Sequence, residues 1–404
     1  MKSIIFKKES LFIFFAFFVA IILPFYIGLL SIFAYVISKK KEWIHVFYIS
    51  FLLLFCNMNL HKEVWAFGDF LGVGNDLGWY STQWFSFNNY EYGFSSIFNE
   101  DYLIFINDGF LVQPKITEPV YHSFSYFFSK LTDGNFTFYT YFLTFFIYLP
   151  ACIVIYRVLS ISRASEVLIA LTLVFFIFYS MKFTNMFNMI RHYCSGSFLI
   201  LTLFFLYNKQ LRWAFIFGVV ACLTHNAAVI VCAIYFVVFN IERLPLRNEK
   251  IKIIYIFLAS SVVSLLYMSV YFATFTNYEK LDDRGSGLLF KFLDVIIIIL
   301  SFFCYKYRSK SYLDNLWPYY IGMIVLISFM HLTSFLQLRY YAYFDYFRWI
   351  GVVYIFSFIL RYTKLKLLLF SVSFLFFVSF LWVRIYISDF DFDGLFHIYF
   401  IIKI

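Results

Sequence analysis

The chain has 404 residues, of which 63% are hydrophobic and 14% charged, with a mean hydropathy of +0.81. No soluble fold of this length has enough interior to hide so much apolar surface, which excludes a cytosolic enzyme, a nucleic-acid binder and a disordered chain. The net charge of +9 falls in short basic clusters between apolar runs, a pattern of membrane topology rather than of nucleic-acid binding.

The first apolar run, 11–37, has no small-residue cleavage site and reads as retained. Pro24 stands near its middle, Lys2, Lys7 and Lys8 precede it, and Lys39, Lys40 and Lys41 follow it. A single crossing would put one basic cluster outside. A hairpin keeps both in the cytoplasm, so a hairpin is predicted. Ordinary crossings are predicted at 43–60, 136–156, 166–182 and 190–207. The run 213–240 repeats the first pattern. Thr224, His225 and Asn226 interrupt it, Lys209 and Arg212 precede it, and Arg243, Arg247, Lys250 and Lys252 follow it. A second hairpin is predicted, with His225 at its apex. Further crossings are predicted at 251–273, 290–305, 317–335, 349–361 and 367–387, the short 349–361 run extending backward through aromatic residues.

The expected fold class is an all-α polytopic integral membrane protein of about 11–13 transmembrane helices, each needing roughly 20 apolar residues. The N-terminus is expected in the cytoplasm and the C-terminus outside. Residues 1–404 read as a single transmembrane domain, with 61–135 a periplasmic loop of short surface helices. Trp43, Trp213, Trp317 and Trp349 each open a run, as interface anchors do. The 61 Phe and 34 Tyr read as lipid-facing. Cys56, Cys152, Cys194, Cys222, Cys232 and Cys304 all lie in apolar runs and suggest neither a disulfide framework nor a zinc site.

Charges and hydroxyls near the outer membrane face carry the functional information, because ionisable groups in a bilayer are costly. Gly74-Asn75-Asp76 is followed by Tyr80, which shares a face with Asp76 if the segment is helical. In 117–121, Thr117 is placed to cap and Pro119 to open a helix over 119–131 that stops near Asp133-Gly134, with Glu118 at its dipole-favoured N-terminus. Arg191, in Asn188-Met189-Ile190-Arg191-His192, has no evident acidic neighbour. Its guanidinium fork suits phosphate oxygens. His225 can exchange a proton near neutral pH. Arg339, Tyr343 and Phe347 fall on one helical face, with Asp345 and Arg348 close by. Asp389, Asp391 and Asp393 alternate like a weak cation site but lack the rest of a calcium loop. No Walker, Rossmann, GxSxG or HExxH motif is present. This set of groups suits a large anionic lipid-linked substrate approached from outside.

In this order the residues resemble a known family. An outer-loop GxDxxxY (Gly74, Asp76, Tyr80) is followed by Glu118-Pro119-Val120-Tyr121. Asn188-x-Ile190-Arg191-His192 comes next, then a histidine at a hairpin apex and Arg339 before Tyr343-Phe344. The chain looks like the EpsG-like polysaccharide polymerases, related in role to Wzy O-antigen and capsule polymerases. His192 stands where the family usually has Gln. The apex reads His225-Asn226-Ala227, where the family tends to place a basic residue and Ser. The resemblance implies glycosyl transfer at the periplasmic face of a bacterial inner membrane. The donor and acceptor would be undecaprenyl-diphosphate-linked repeat units, with no cofactor or metal. It admits a chain-length regulator protein as partner, alongside membrane lipid. The expected catalytic residues are His225, Glu118 and Arg191. Arg339, Asp76, Tyr80, Tyr121, His192, Tyr343 and Arg348 are expected to bind substrate. The rivals are a flippase or transporter of the same lipid-linked unit, another lipid-linked glycosyltransferase or ligase, and a membrane O-acyltransferase. A transporter would carry charge through the bilayer midplane and often shows repeated halves.

Overall fold

Pro24 has no N–H to give to a helix interior but suits a first turn, and the chain obeys this. In the computed structural model, which describes residues 8–68, 84, 87–88, 94–98, 104–105, 111–112, 118–181, 189–246, 248–274, 288–308, 311–330 and 334–387, α1 (Lys8–Ala20) ends before the proline and α2 (Pro24–Ser38) begins on it. Lys39, at φ 58°, closes α2, and α3 (Lys41–Gly68) follows. Phe25 and Gly28 of α2 meet Phe51 of α3 across the short turn at Lys39 and Lys40, and residues so placed on either side of a tight turn touch only if the two helices run antiparallel. Phe12 of α1 packs on Trp43, with ring centroids 5.7 Å apart. That contact returns α1 to the end where α2 stops, and the predicted hairpin is present.

Past 118 the described residues are almost wholly helical. It forms α4 (Pro119–Leu131), α5 (Phe136–Ile161), α6 (Glu166–Phe175), α7 (Ile190–Tyr207), α8 (Leu211–Thr224) and α9 (Ala228–Glu242). Then follow α10 (Glu249–Thr274), α11 (Leu288–Lys306), α12 (Trp317–Met330), α13 (Ser334–Phe344), α14 (Arg348–Tyr362) and α15 (Lys366–Ile387). A two-residue antiparallel ladder, β1 (Ile104–Phe105) with β2 (Leu111–Val112), is the sheet among the described residues. Ser165 caps α6 by accepting from the Leu168 N–H, and α6 ends in one π turn, Phe176–Ser180. The second predicted hairpin is α8–α9. Cys232 Sγ reaches the Gly218 carbonyl at 3.6 Å, nearly equidistant in sequence from the 225–227 apex.

Five described stretches are long and apolar enough to cross a membrane: Tyr141–Ile161, Ile190–Tyr207, Glu249–Val270, Leu313–Met330 and Lys366–Val383. Shorter apolar helices, including α2 and both arms of α8–α9, lie among them. The all-α polytopic membrane class is therefore the one observed. The bundle has two chemically distinct ends. The turns after α2, α5, α7, α9, α11 and α14 carry the basic clusters at one end, tied together by contacts such as Arg361 to the Tyr307 carbonyl and Arg308 to Glu249. Glu118, Arg191, His225 and Arg339 lie at the other.

Four expectations are corrected. The 349–361 helix does not extend backward: α13 ends at Phe344, and a turn over Asp345–Phe347 precedes α14. Phe347 therefore does not continue the helical face of Arg339 and Tyr343. The turn is held because the Asp345 carbonyl and carboxylate are both engaged by side chains from other elements. Trp317 and Trp349 are fully buried rather than interfacial, Trp317 stacking on Tyr305 at 4.0 Å. Many aromatic side chains are core rather than lipid-facing, Tyr148, Tyr193, Tyr235, Tyr320, Tyr340, Tyr343 and Tyr346 among them. The crossing expected at 43–60 runs on as helix to Gly68. Most of 61–117, including Asp76 and Tyr80, and the acids Asp389, Asp391 and Asp393 lie outside the described residues. The six cysteines are free.

Candidate functional site

α4 has the predicted bounds. Pro119 takes its first position, and Asp133 (φ 52°) and Gly134 (φ 69°) turn the chain away after Leu131. Its buried stripe is Tyr121, His122, Ser125 and Ser129. The N-cap residue is Glu118, yet its side chain makes no capping bond. The carboxylate points into the bundle instead. Arg191 Nη1, from the first turn of α7, donates to Oε2, and His225 Nδ1, from the α8–α9 apex, bonds Oε1. The Glu118 side chain is 3% exposed, against 18% for Arg191 and 8% for His225. Arg191 thus has an acidic partner, supplied from 73 positions away.

A chain of polar contacts leads on from the carboxylate. His225 Nε2 lies 2.9 Å from His192 Nε2, so one of these nitrogens carries the shared hydrogen. The His192 ring lies 5.7 Å from that of Tyr343, and Tyr343 donates a long 3.5 Å bond to Ser195 Oγ. Arg339 is within electrostatic reach of His225. Beside this chain, the Tyr121 and Tyr139 hydroxyls bond each other, and Tyr139 lies over Trp84 at 4.3 Å. Glu118 lies ahead of α4, outside the spanning helices. Burial alone would raise its pKa, but the His225 hydrogen bond and the charges of Arg191, His225 and His122 outweigh burial and hold it at about 2. The result is an ionised carboxylate that orients one imidazole, which touches a second, with two guanidiniums at hand. A carboxylate–imidazole pair of this kind fixes the tautomer and raises the basicity of the distal nitrogen.

The model of the EpsG family matches residues 63–397. The protein belongs to the EpsG family. No curated protein and no solved structure matches the chain. The chain is thus a membrane protein of polysaccharide biosynthesis. In this EpsG-family chain seven of the expected site residues converge: Glu118, Tyr121, Arg191, His192, His225, Arg339 and Tyr343 are drawn to one end of the bundle.

Arg348 stands apart from that cluster. It is 1% exposed, Nη2 donates to Asp294 Oδ2 at 2.8 Å, and Nη1 donates to Asp345 Oδ1 and to the Ser180 carbonyl at 2.8 Å. Tyr193 completes the group by donating to Asp345 Oδ2 at 2.7 Å. Two groups escaped sequence reasoning. Asp294 is an acid inside the apolar run 290–305, a signal that could have singled it out. His122, one helical turn after Glu118, is buried on the same face and contributes positive charge to it. Its i, i+4 spacing from Glu118 was the available sign.

Proposed function

We propose that the protein polymerises undecaprenyl-diphosphate-linked oligosaccharide repeat units by glycosyl transfer at the periplasmic face of the bacterial inner membrane. The observation that carries this reading is the Glu118–His225–His192 chain with Arg191 on the second carboxylate oxygen. The acceptor sugar hydroxyl attacks the anomeric carbon of the donor glycan, the bond from that carbon to the diphosphate oxygen breaks, and undecaprenyl diphosphate leaves. The hydroxyl proton passes to the imidazole pair. His225 is oriented by Glu118, and His192 relays between its Nε2 and the acceptor. Charge builds on the departing diphosphate, and Arg191 and Arg339 meet it in a low-dielectric site. The guanidiniums supply the positive charge, so the mechanism invokes no cofactor. Tyr121, Tyr343, Asp76 and Tyr80 position the sugars, aromatic rings lying against sugar faces. Arg348 supports the site indirectly by holding the turn after α13, which carries Arg339 and Tyr343.

The test is replacement of the gene in its host, with lipid-linked saccharides separated on a gel. Variants at His225 are expected to collapse the ladder to one repeat unit. Loss of every outer-face unit would make the protein a flippase, and an unchanged ladder would remove both readings.

A further inference from the structure

The basic end of the bundle contains a cleft of about 180 Å3 between the α5–α6 turn, the end of α11 and the last turns of α14. Its polar lining includes Arg308, Arg361, Ser162 and Ser357, and its apolar lining includes Leu168 and Phe358. The two arginines are held differently. Arg308 stacks on Tyr305, 3.4 Å from the ring centroid, donates to its carbonyl and hydroxyl, and pairs with Asp314 at 2.7 Å. Its remaining acidic contact is a loose one, 3.8 Å to Glu249, whose side chain is 65% exposed. Arg361 is exposed and donates through Nη1 to the Tyr307 carbonyl at 3.1 Å. Its guanidinium is therefore anchored at the cleft wall in contact with solvent.

The apolar side of the cleft runs directly into the outer surface. Phe303, Tyr307, Phe358 and Tyr362 form a row of rings with centroids 4.9–6.4 Å apart. Phe303, Tyr307 and Tyr362 are exposed, as are Ile299 and Leu300 further along α11. A cationic, hydroxyl-lined recess opening onto an exposed apolar helix flank fits an amphipathic anion. A soluble phosphate would make no use of the flank.

We propose that this cleft seats the phosphate of an anionic phospholipid, with its acyl chains along the exposed flank of α11. Arg361 grips the phosphate, the serine hydroxyls contribute hydrogen bonds, and Arg308 turns its weakly engaged side from Glu249 to the same phosphate. The site lies at the opposite end of the bundle from Glu118, so it serves neither donor nor acceptor and stands independently of the proposed polymerase activity.

Native mass spectrometry and thermal unfolding of the full-length protein in detergent test this, with phosphatidylglycerol, phosphatidylcholine or glycerol 3-phosphate added. Phosphatidylglycerol is expected to stay bound and raise the melting temperature, and the other two are not. Arg361→Ala should weaken that binding about tenfold, the size of one charge-assisted contact. Arg361→Lys should fall between Arg361→Ala and wild type, and Glu249→Gln should tighten binding by removing the competing carboxylate. The proposal is overturned if phosphatidylcholine binds equally well, if glycerol 3-phosphate stabilises as much as the lipid, or if R361A and E249Q both bind like wild type.

Discussion

Two buried ion groups lie among the described residues of this bundle, and they are built for opposite purposes. In one, Arg348 is enclosed between Asp294 and Asp345 with every carboxylate and the guanidinium at 3% exposure or less. It ties α11, the π turn of α6, the turn before α14 and, through Tyr193, α7. In the other, Glu118 holds Arg191 and His225, the arginine keeps 18% of its side chain exposed, and two imidazoles continue the chain. The first contains only groups that stay in one place. The second ends in groups that can pass a proton or meet an anion. Burial of charge in a membrane protein is thus not one signal: the enclosed group fastens helices, and the half-open one is placed for chemistry.

Variants can break that contrast. The largest effect is expected from His225→Gln, which keeps a polar contact to Glu118 but removes the proton acceptor. Elongation should fall by about 10²–10⁴-fold, the usual share of a general base, with melting temperature little changed, as read from the saccharide ladder and thermal unfolding. Arg348→Ala should act first on stability, and on elongation only through it. Leaving two buried acids unmatched costs about 3–5 kcal/mol, seen as early melting of the purified protein. If R348A melts normally and only elongation fails, the two groups are not distinct. Arg191→Lys keeps charge and loses the fork, so elongation should drop about tenfold, one charge-assisted contact. Normal polymers from both R191K and R191A would remove the arginine from the mechanism.

The smallest effect is a matter of pH. Glu118 is held at about 2, below its ordinary 4.5. Its ionised contacts therefore contribute fully above pH 4.5 and fade as pH falls toward 2. The stability gap between wild type and Glu118→Gln should persist from neutrality to about pH 4.5 and close below it, measured by unfolding in detergent. A gap that closes near neutrality would contradict the ionised carboxylate.

Much of the frame could be read from local chemistry. Pro24 and the flanking lysines marked the first hairpin, Lys209, Arg212 and Arg243 marked the second, and Pro119 with Gly134 set the bounds of α4. What could not be read was pairing over distance. Arg191 lacks an acid nearby in sequence, and Glu118, 73 positions earlier, stands there as a helix-end residue in no visible relation to it. Asp294 and Arg348, 54 positions apart, are equally silent about each other. The turn at 345–347 was hidden for another reason. Its aromatic composition suits a helix, and only the side chains engaging Asp345 from α7, α14 and the π turn dictate otherwise.

The π turn at Phe176–Ser180 sets a constraint on chain length. Such a turn holds one residue more than a regular helix would need. Removing a single residue there would close the widened turn into ordinary α-helix and leave the segments on either side in register. Only the carbonyls of the turn itself would be re-aimed, that of Ser180, which now accepts from Arg348, among them. A one-residue deletion within 176–180 should therefore cost the Ser180 contact while leaving Arg348 between Asp294 and Asp345.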